Sequence, residues 1–178
     1  ALPEPWSLSC GHLRERMDPV FRLQWWRQHH PDIVEQAAHF LGWHDFLGLR
    51  MSGRIATDRC TASRYAAYDL ESNDWDPGRA TLHGLEAGFL PDVLPWPSVV
   101  DELDSRVAED WGLPTGVRLC LGGLDVNCAA IGAGVVDVGS VCLVSGSYEN
   151  LLAVSRDLPT SGMLLRGLSV MPHPGRAG

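Results

Sequence analysis

With 178 residues, 45% hydrophobic and 20% charged, the chain has room for one ordinary domain with a hydrophobic core. A net charge of −8 argues against nucleic acid or an anionic membrane as partner. No apolar run is long enough to span a bilayer, and the start lacks the basic-then-apolar pattern of a signal peptide, so a cytoplasmic location is expected.

All 14 basic residues are arginine, so phosphate within this chain must be met by arginine, backbone N–H groups or a metal ion. Five scattered cysteines (Cys10, Cys60, Cys120, Cys128, Cys142) form no CxxC pair and read as reduced, buried thiols. The seven histidines lack ligand spacing, and no metal-ligand set is expected.

Pro19 to His30 has helical periodicity, with Val20 and Leu23 facing inward. Pro31 suits the first position of a second helix, PDIVEQAAHF, and Leu41 to Arg50 predicts a third, stopped by Gly53. The tryptophans of these helices read as core, because they share the helices with apolar partners. Asp45 and Asp58 suit helix caps, and Asp76-Pro77-Gly78 is a turn into a helix through Leu85. Leu90-Pro91 with Pro95 and Pro97 marks a surface connection. Helical spacing of Val100, Leu103, Val107 and Trp111 predicts a helix over Val99 to Trp111 with those residues in the core.

Val117 to Leu121 then reads as a buried strand, followed by the turn glycines Gly122 and Gly123 and a small-residue helix opened by Asp125. Two readings of Asp125 stand side by side. One is an N-cap accepting orphan helix N–H groups. The other is a carboxylate kept ionised at a helix N-terminus facing a cleft, a weak base that suffices for phosphoryl transfer, where positioning and charge neutralisation supply most of the rate. Ser140 to Ser145 and Leu151 to Val154 predict a hairpin around SGSYEN. Its turn at Gly146 and Ser147 is either an ordinary surface turn or a concavity of outward N–H groups that suits phosphate oxygens. Met163 to Met171 reads as a last strand, interrupted by Arg166 and Gly167.

The glycine turn with Asp125, then Gly132 and Gly134 after the helix, then Gly146-Ser147 at 21 and 22 positions beyond Asp125, resembles the FGGY family of carbohydrate kinases. A second block continues the resemblance: Arg22, Leu23, Trp25, His30-Pro31-Asp32, Asp45-Phe46-Leu47, Met51-Ser52-Gly53, Asp58, Ala62-Ser63, Tyr68-Asp69 and Trp75. The landmarks run in family order from about Pro19 to Asn150. The closing His173-Pro174-Gly175 is similar to a segment of the family's second lobe.

The resemblance implies an α/β fold of RNase H-like, actin/hexokinase/Hsp70-type ATPase architecture with two lobes, here incomplete. Residues 1–137 would be the later part of the sugar-binding lobe and residues 138–178 the start of the ATP lobe. It implies an ATP-dependent sugar or polyol kinase using Mg2+, with Asp125 as general base and Gly146 and Ser147 on the ATP phosphates. Substrate contact would come from Asp125, Asn150 and Phe21. Other family motifs, including a DxGT-type phosphate hairpin and the adenosine-binding glycines, are expected outside this piece. A homodimer of the full-length protein is a further expectation, and ketopentoses, tetritols and pentitols are the substrates the resemblance favours. Leu124, Val126 and Tyr148 depart from the usual residues, which bears on substrate identity. Ser147-Tyr148 also leaves open a non-catalytic sugar-binding or regulatory protein on the same fold.

Overall fold

The computed structural model of the chain describes residues 5–13, 18–86 and 88–173; Pro174 and Gly175 of the closing motif lie outside them. The first three helices start on proline, α1 (Pro5–Cys10), α2 (Pro19–His29) and α3 (Pro31–Gln36). Proline suits a first helical position because that N–H has no partner in the helix anyway. Val20 and Leu23 of α2 are buried as their spacing predicts. The second predicted helix is shorter than its pattern: α3 stops at Gln36, and Phe40 instead bonds its N–H to Phe89 O at 2.7 Å and stacks on the Phe89 ring. That tertiary contact outweighs local propensity.

Helix α4 (Trp43–Ser52) opens on Gly42, whose N–H donates to Asp45 Oδ2 at 2.9 Å. It closes at Gly53, which takes the left-handed conformation (φ 77°) and bonds back to Leu49 O. The chain then enters β1 (Ala56–Asp58) and α5 (Arg59–Ala62), where Asp58 Oδ1 accepts the Thr61 N–H at 3.0 Å as the expected cap. β2 (Tyr68–Asp69) and β3 (Asp74–Trp75) pair antiparallel. Asp76 caps α6 (Pro77–Leu82), which ends short of Leu85.

The proline-rich connection holds an element its composition hides. β4 (Asp92–Leu94) pairs parallel with β1, Ala56 opposite Asp92. The long helix predicted over Val99 to Trp111 is instead a strand, β5 (Val99–Glu102), followed by α7 (Ser105–Asp110). β5 pairs antiparallel with β6 (Arg118–Cys120), with an irregularity between Val99 and Asp101, and Asp104 caps α7 through the Arg106 N–H. Val100 is buried, but Trp111 is 59% exposed. β6 is not a buried strand, since its residues alternate between exposed and half-buried. α8 (Asp125–Gly132) and the hairpin of β7 (Val141–Ser145) and β8 (Glu149–Ala153) fall where predicted. The last predicted strand is replaced by a short helix, α9 (Ser161–Leu165), because Thr160 accepts the Met163 N–H and starts a helical turn.

The core has two connected clusters. One gathers Val20, Leu23, Tyr65, Ala66, Ala67, Leu85 and Leu90, and the other Ala62, Tyr68 and Leu70. Trp75 packs against both, edge-on to Tyr65 (5.4 Å between ring centres) and to Tyr68 (6.0 Å), with its indole N–H donated to Pro91 O at 2.8 Å. The tryptophans of the first helices are not core: Trp25, Trp26 and Trp43 are 49%, 42% and 83% exposed. Cys10 and Cys60 are buried free thiols, whereas Cys120 is exposed and Cys128 and Cys142 half-buried.

Arg79 ties the second cluster to the surface. Its guanidinium donates to Asp69 Oδ2 (2.7 Å), Asp76 Oδ2 (2.8 Å) and Tyr68 O (3.0 Å). Burial works to raise the Asp69 carboxyl, but the Ser72 and Glu71 N–H groups and Arg79 outweigh it and hold it below its usual value. Bonds from the Arg79 N–H and guanidinium hold Asp76 low as well. Arg79→Met is expected to destabilise the protein by about 2 kcal/mol, with Arg79→Lys recovering less than half, because one ammonium cannot span three acceptors. Denaturant titration checks this. The wild-type advantage should shrink as pH falls below the ordinary carboxylate range, because stability from a depressed acid is lost on protonation.

Candidate active site

β6 leads through Leu121, Gly122 and Gly123 to Leu124, which occupies the cap position of α8 in an extended conformation (φ −57°, ψ 137°). Asp125 is therefore the first helical residue and not the cap. Its side chain is exposed and its Oδ1 accepts the adjacent Val126 N–H at 2.7 Å. The exposed carboxylate thus stands at the positive end of the helix dipole with Oδ1 engaged by the helix backbone. The cap reading of Asp125 gives way to a first-turn acid, a position that leaves the group accessible for chemistry.

Two elements support that position. α8 lies against both strands of the β7–β8 hairpin. On the side of α5, the Leu124 N–H faces the buried Cys60 sulfur; burial pushes that thiol up to about 12, against the opposing pull of the Leu124 N–H. The Cys60 sulfur also lies 3.7 Å from Met171 Sδ. The start of α8 is therefore seated on α5, a contact that no motif signalled.

The hairpin pairs Val141 with Ala153 through Ser145 with Glu149, leaving a three-residue loop of Gly146, Ser147 and Tyr148. The Gly146 N–H donates to Tyr148 O at 3.1 Å, so this amide is used inside the loop instead of pointing outward. That corrects the expectation of successive outward N–H groups at Gly146. Ser147 is exposed at the tip and Tyr148 is 83% exposed beside it. Asn150 sits on β8 opposite Val144 and is exposed. Phe21 belongs to the first core cluster and meets the His83 ring edge-on at 6.5 Å. The structure thus places Asp125, Gly146, Ser147 and Asn150 on two elements that touch, and spends Phe21 on packing. A cleft of about 390 Å3, lined by His39, Ser52, Arg54, Asp92 and Asp101 among others, contains none of these residues.

Comparison with known proteins decides the family. The model of the FGGY family of carbohydrate kinases, N-terminal domain, matches residues 8–132. The chain belongs to the FGGY family of carbohydrate kinases. Autoinducer-2 kinase of Klebsiella pneumoniae subsp. pneumoniae is 30% identical over 158 residues, 88% of this chain and 29% of that protein. Autoinducer-2 kinase of Enterobacter sp. is 33% identical over 127 residues, 71% of this chain and 24% of that protein. Among solved structures, xylulose kinase from Rhodospirillum rubrum superposes with a TM-score of 0.80 at 23% identity, over 84% of this chain and 31% of that chain. Plasmodium falciparum glycerol kinase with ADP gives 0.75 at 19% identity, over 83% and 30%. The α/β fold is accordingly that of this FGGY kinase group, of actin/hexokinase-like ATPase type. The chain spans under a third of the length of these relatives.

The exposed Asp125 contributes to stability through the helix dipole and the local bond from the Val126 N–H. Asp125→Ala is expected to move the thermal midpoint by no more than about 4 °C. A drop of more than about 10 °C in a melting curve would make this residue structural.

Proposed function

We propose that this FGGY chain supplies the proton-accepting aspartate, and part of the ATP-phosphate contact, of a carbohydrate kinase. The observation that carries the reading is the placement of Asp125, an exposed carboxylate at the N-terminus of α8, directly after the glycine turn and beside the β7–β8 hairpin. The family and the sugar-kinase names of the relatives support it.

Asp125 accepts the proton of a sugar or polyol hydroxyl as that oxygen attacks the γ-phosphorus of ATP in line. The bond to ADP breaks as the new P–O bond forms, and the proton rests on the Asp125 carboxyl. Val126 N–H orients the carboxylate so that one oxygen stays free for the hydroxyl. Ser147, at the loop tip, brings a hydroxyl donor to the transferring phosphates. Among the described residues no group of three or more His, Cys, Asp or Glu side chains is arranged to hold a metal ion.

Asp125→Asn in the whole kinase should lower kcat by about 10²–10⁴-fold while the KM for the sugar stays within tenfold, because the loss falls on proton transfer and not on binding. Steady-state kinetics with coupled ADP detection reads both. Near-normal turnover would return Asp125 to a structural role. The 178-residue chain by itself is expected to release no sugar-dependent ADP, and turnover by it would contradict the division of labour proposed here.

The inward Gly146 N–H and the exposed Tyr148 favour a second reading, a sugar-binding or regulatory member that does not transfer phosphate. Nucleotide titration of the whole protein separates the two. ATP binding that survives Tyr148→Gly but requires Ser147 supports the kinase, and sugar binding without any nucleotide binding supports the alternative.

A further inference from the structure

His44 stands where three elements meet. Its Nε2 is 2.7 Å from Asp45 Oδ1, 3.3 Å from Thr57 Oγ1 and 3.9 Å from Asp58 Oδ2. The imidazole is 45% exposed, whereas the Asp45 and Asp58 side chains are 0% and 1% exposed. The other oxygens of both acids are already engaged, by the Gly42 N–H on Asp45 and the Thr61 N–H on Asp58. A single ring that exchanges protons with water therefore faces two carboxylates sealed from it.

We propose that His44 is a proton-operated clasp: as imidazolium it holds the first turn of α4 to the β1–α5 junction by placing one positive charge beside both buried carboxylates, and loss of its proton releases that junction. A neutral ring leaves both buried carboxylates without that positive charge, an arrangement that burial makes costly. The position of the junction gives the clasp its reach. Asp58 caps α5, and α5 carries Cys60, whose sulfur faces the Leu124 N–H at the start of α8.

The groups that bear on His44 are few. Asp45 belongs to its own helix and Asp58 to β1, and these are the charges that hold its proton, led by the Asp45 hydrogen bond against the opposing pull of burial. Tyr65 faces Asp45 and is kept neutral by burial. β5 and β6 meet α4 toward its other end, where the Asp104 N–H bonds to Met51 O and Leu119 lies beside Gly48. His12 is the other histidine held above its ordinary value, with the Cys10 side chain and the Leu13 carbonyl outweighing the effect of burial. It is common to wild type and to every His44 variant, so their difference isolates His44.

The sign follows from a folded pKa raised above the ordinary 6.5. The stabilisation is complete below the unfolded value and is lost as pH rises through the folded one. Denaturant unfolding of the wild-type chain between about pH 6 and 9 should show stability falling with pH, by up to about tenfold in the unfolding constant per unit of pKa elevation. His44→Lys should remove the His44 part of that slope and leave only the part that His12 contributes, because the lysine ammonium persists to about pH 10. Asp58→Asn, which can still cap α5, should reduce the slope while leaving a folded protein. Parallel pH profiles for wild type and His44→Lys would overturn the proposal. An NMR titration of the His44 ring in the folded wild type decides it even if a variant fails to fold: a midpoint clearly above 6.5 supports the clasp, and one at or below 6.5 overturns it.

Discussion

The buried carboxylate of Asp58 is the constraint on which this structure turns. An acid with 1% of its side chain exposed must be satisfied from several directions, and each partner brings an element with it. The Thr61 N–H brings α5, the imidazole of His44 brings α4, and the backbone of Asp58 itself closes the parallel ladder with β4 at Leu94. α5 in turn seats the start of α8 through Cys60 and Leu124. A chain of contacts thus runs from one sealed charge to the helix that presents Asp125. The strands form four two-stranded ladders among the described residues, and ladders of that size depend on packed helices and capped turns for their stability.

Much of this was legible in the sequence wherever a local physical rule acted alone. Pro19 and Pro31 start helices, Gly53 ends one, and Asp58 and Asp76 cap theirs, because each effect is settled within a few residues. The hairpin around Gly146 and the helix at Asp125 followed from turn glycines and short apolar runs. The misreadings fall where partners distant in sequence decide. Val100, Leu103 and Val107 have helical spacing, yet Val99 to Glu102 is claimed by β6 as a strand. The stretch from Met163 has strand-like residues, yet Thr160 caps a helix there. Trp25, Trp26 and Trp43 read as core because large rings usually are, but the interior is filled by Tyr65, Tyr68 and Trp75, which the β2–β3 ladder and α6 bring together.

The candidate site shows the same division. The spacing of Asp125, Gly146 and Ser147 resembles that of the family, and the family model matches residues 8–132, a span that includes Asp125 but not Gly146 or Ser147. Sequence could not show which oxygen of Asp125 is already engaged, or that the Gly146 N–H closes its own loop. Both depend on backbone angles that glycine and first-turn residues do not advertise. Phe21 shows how little residue type alone decides: an aromatic residue near the start of a helix can serve a ligand or a core, and here it is partly buried against the first core cluster. His44 carried a signal of a different kind, a histidine directly before an acid in LGWHD, whose meaning emerged only when β1 placed a second acid beside it.

The central claim is that Asp125 takes the proton of the attacking hydroxyl. The most direct test is a crystal structure of the whole kinase with a polyol and a non-hydrolysable ATP analogue bound. The account predicts the free oxygen of Asp125 at hydrogen-bond distance, about 2.6–3.2 Å, from a substrate hydroxyl aligned with the γ-phosphorus. A closed complex in which that hydroxyl bonds to some other base, with Asp125 still held only by the Val126 N–H, would contradict it.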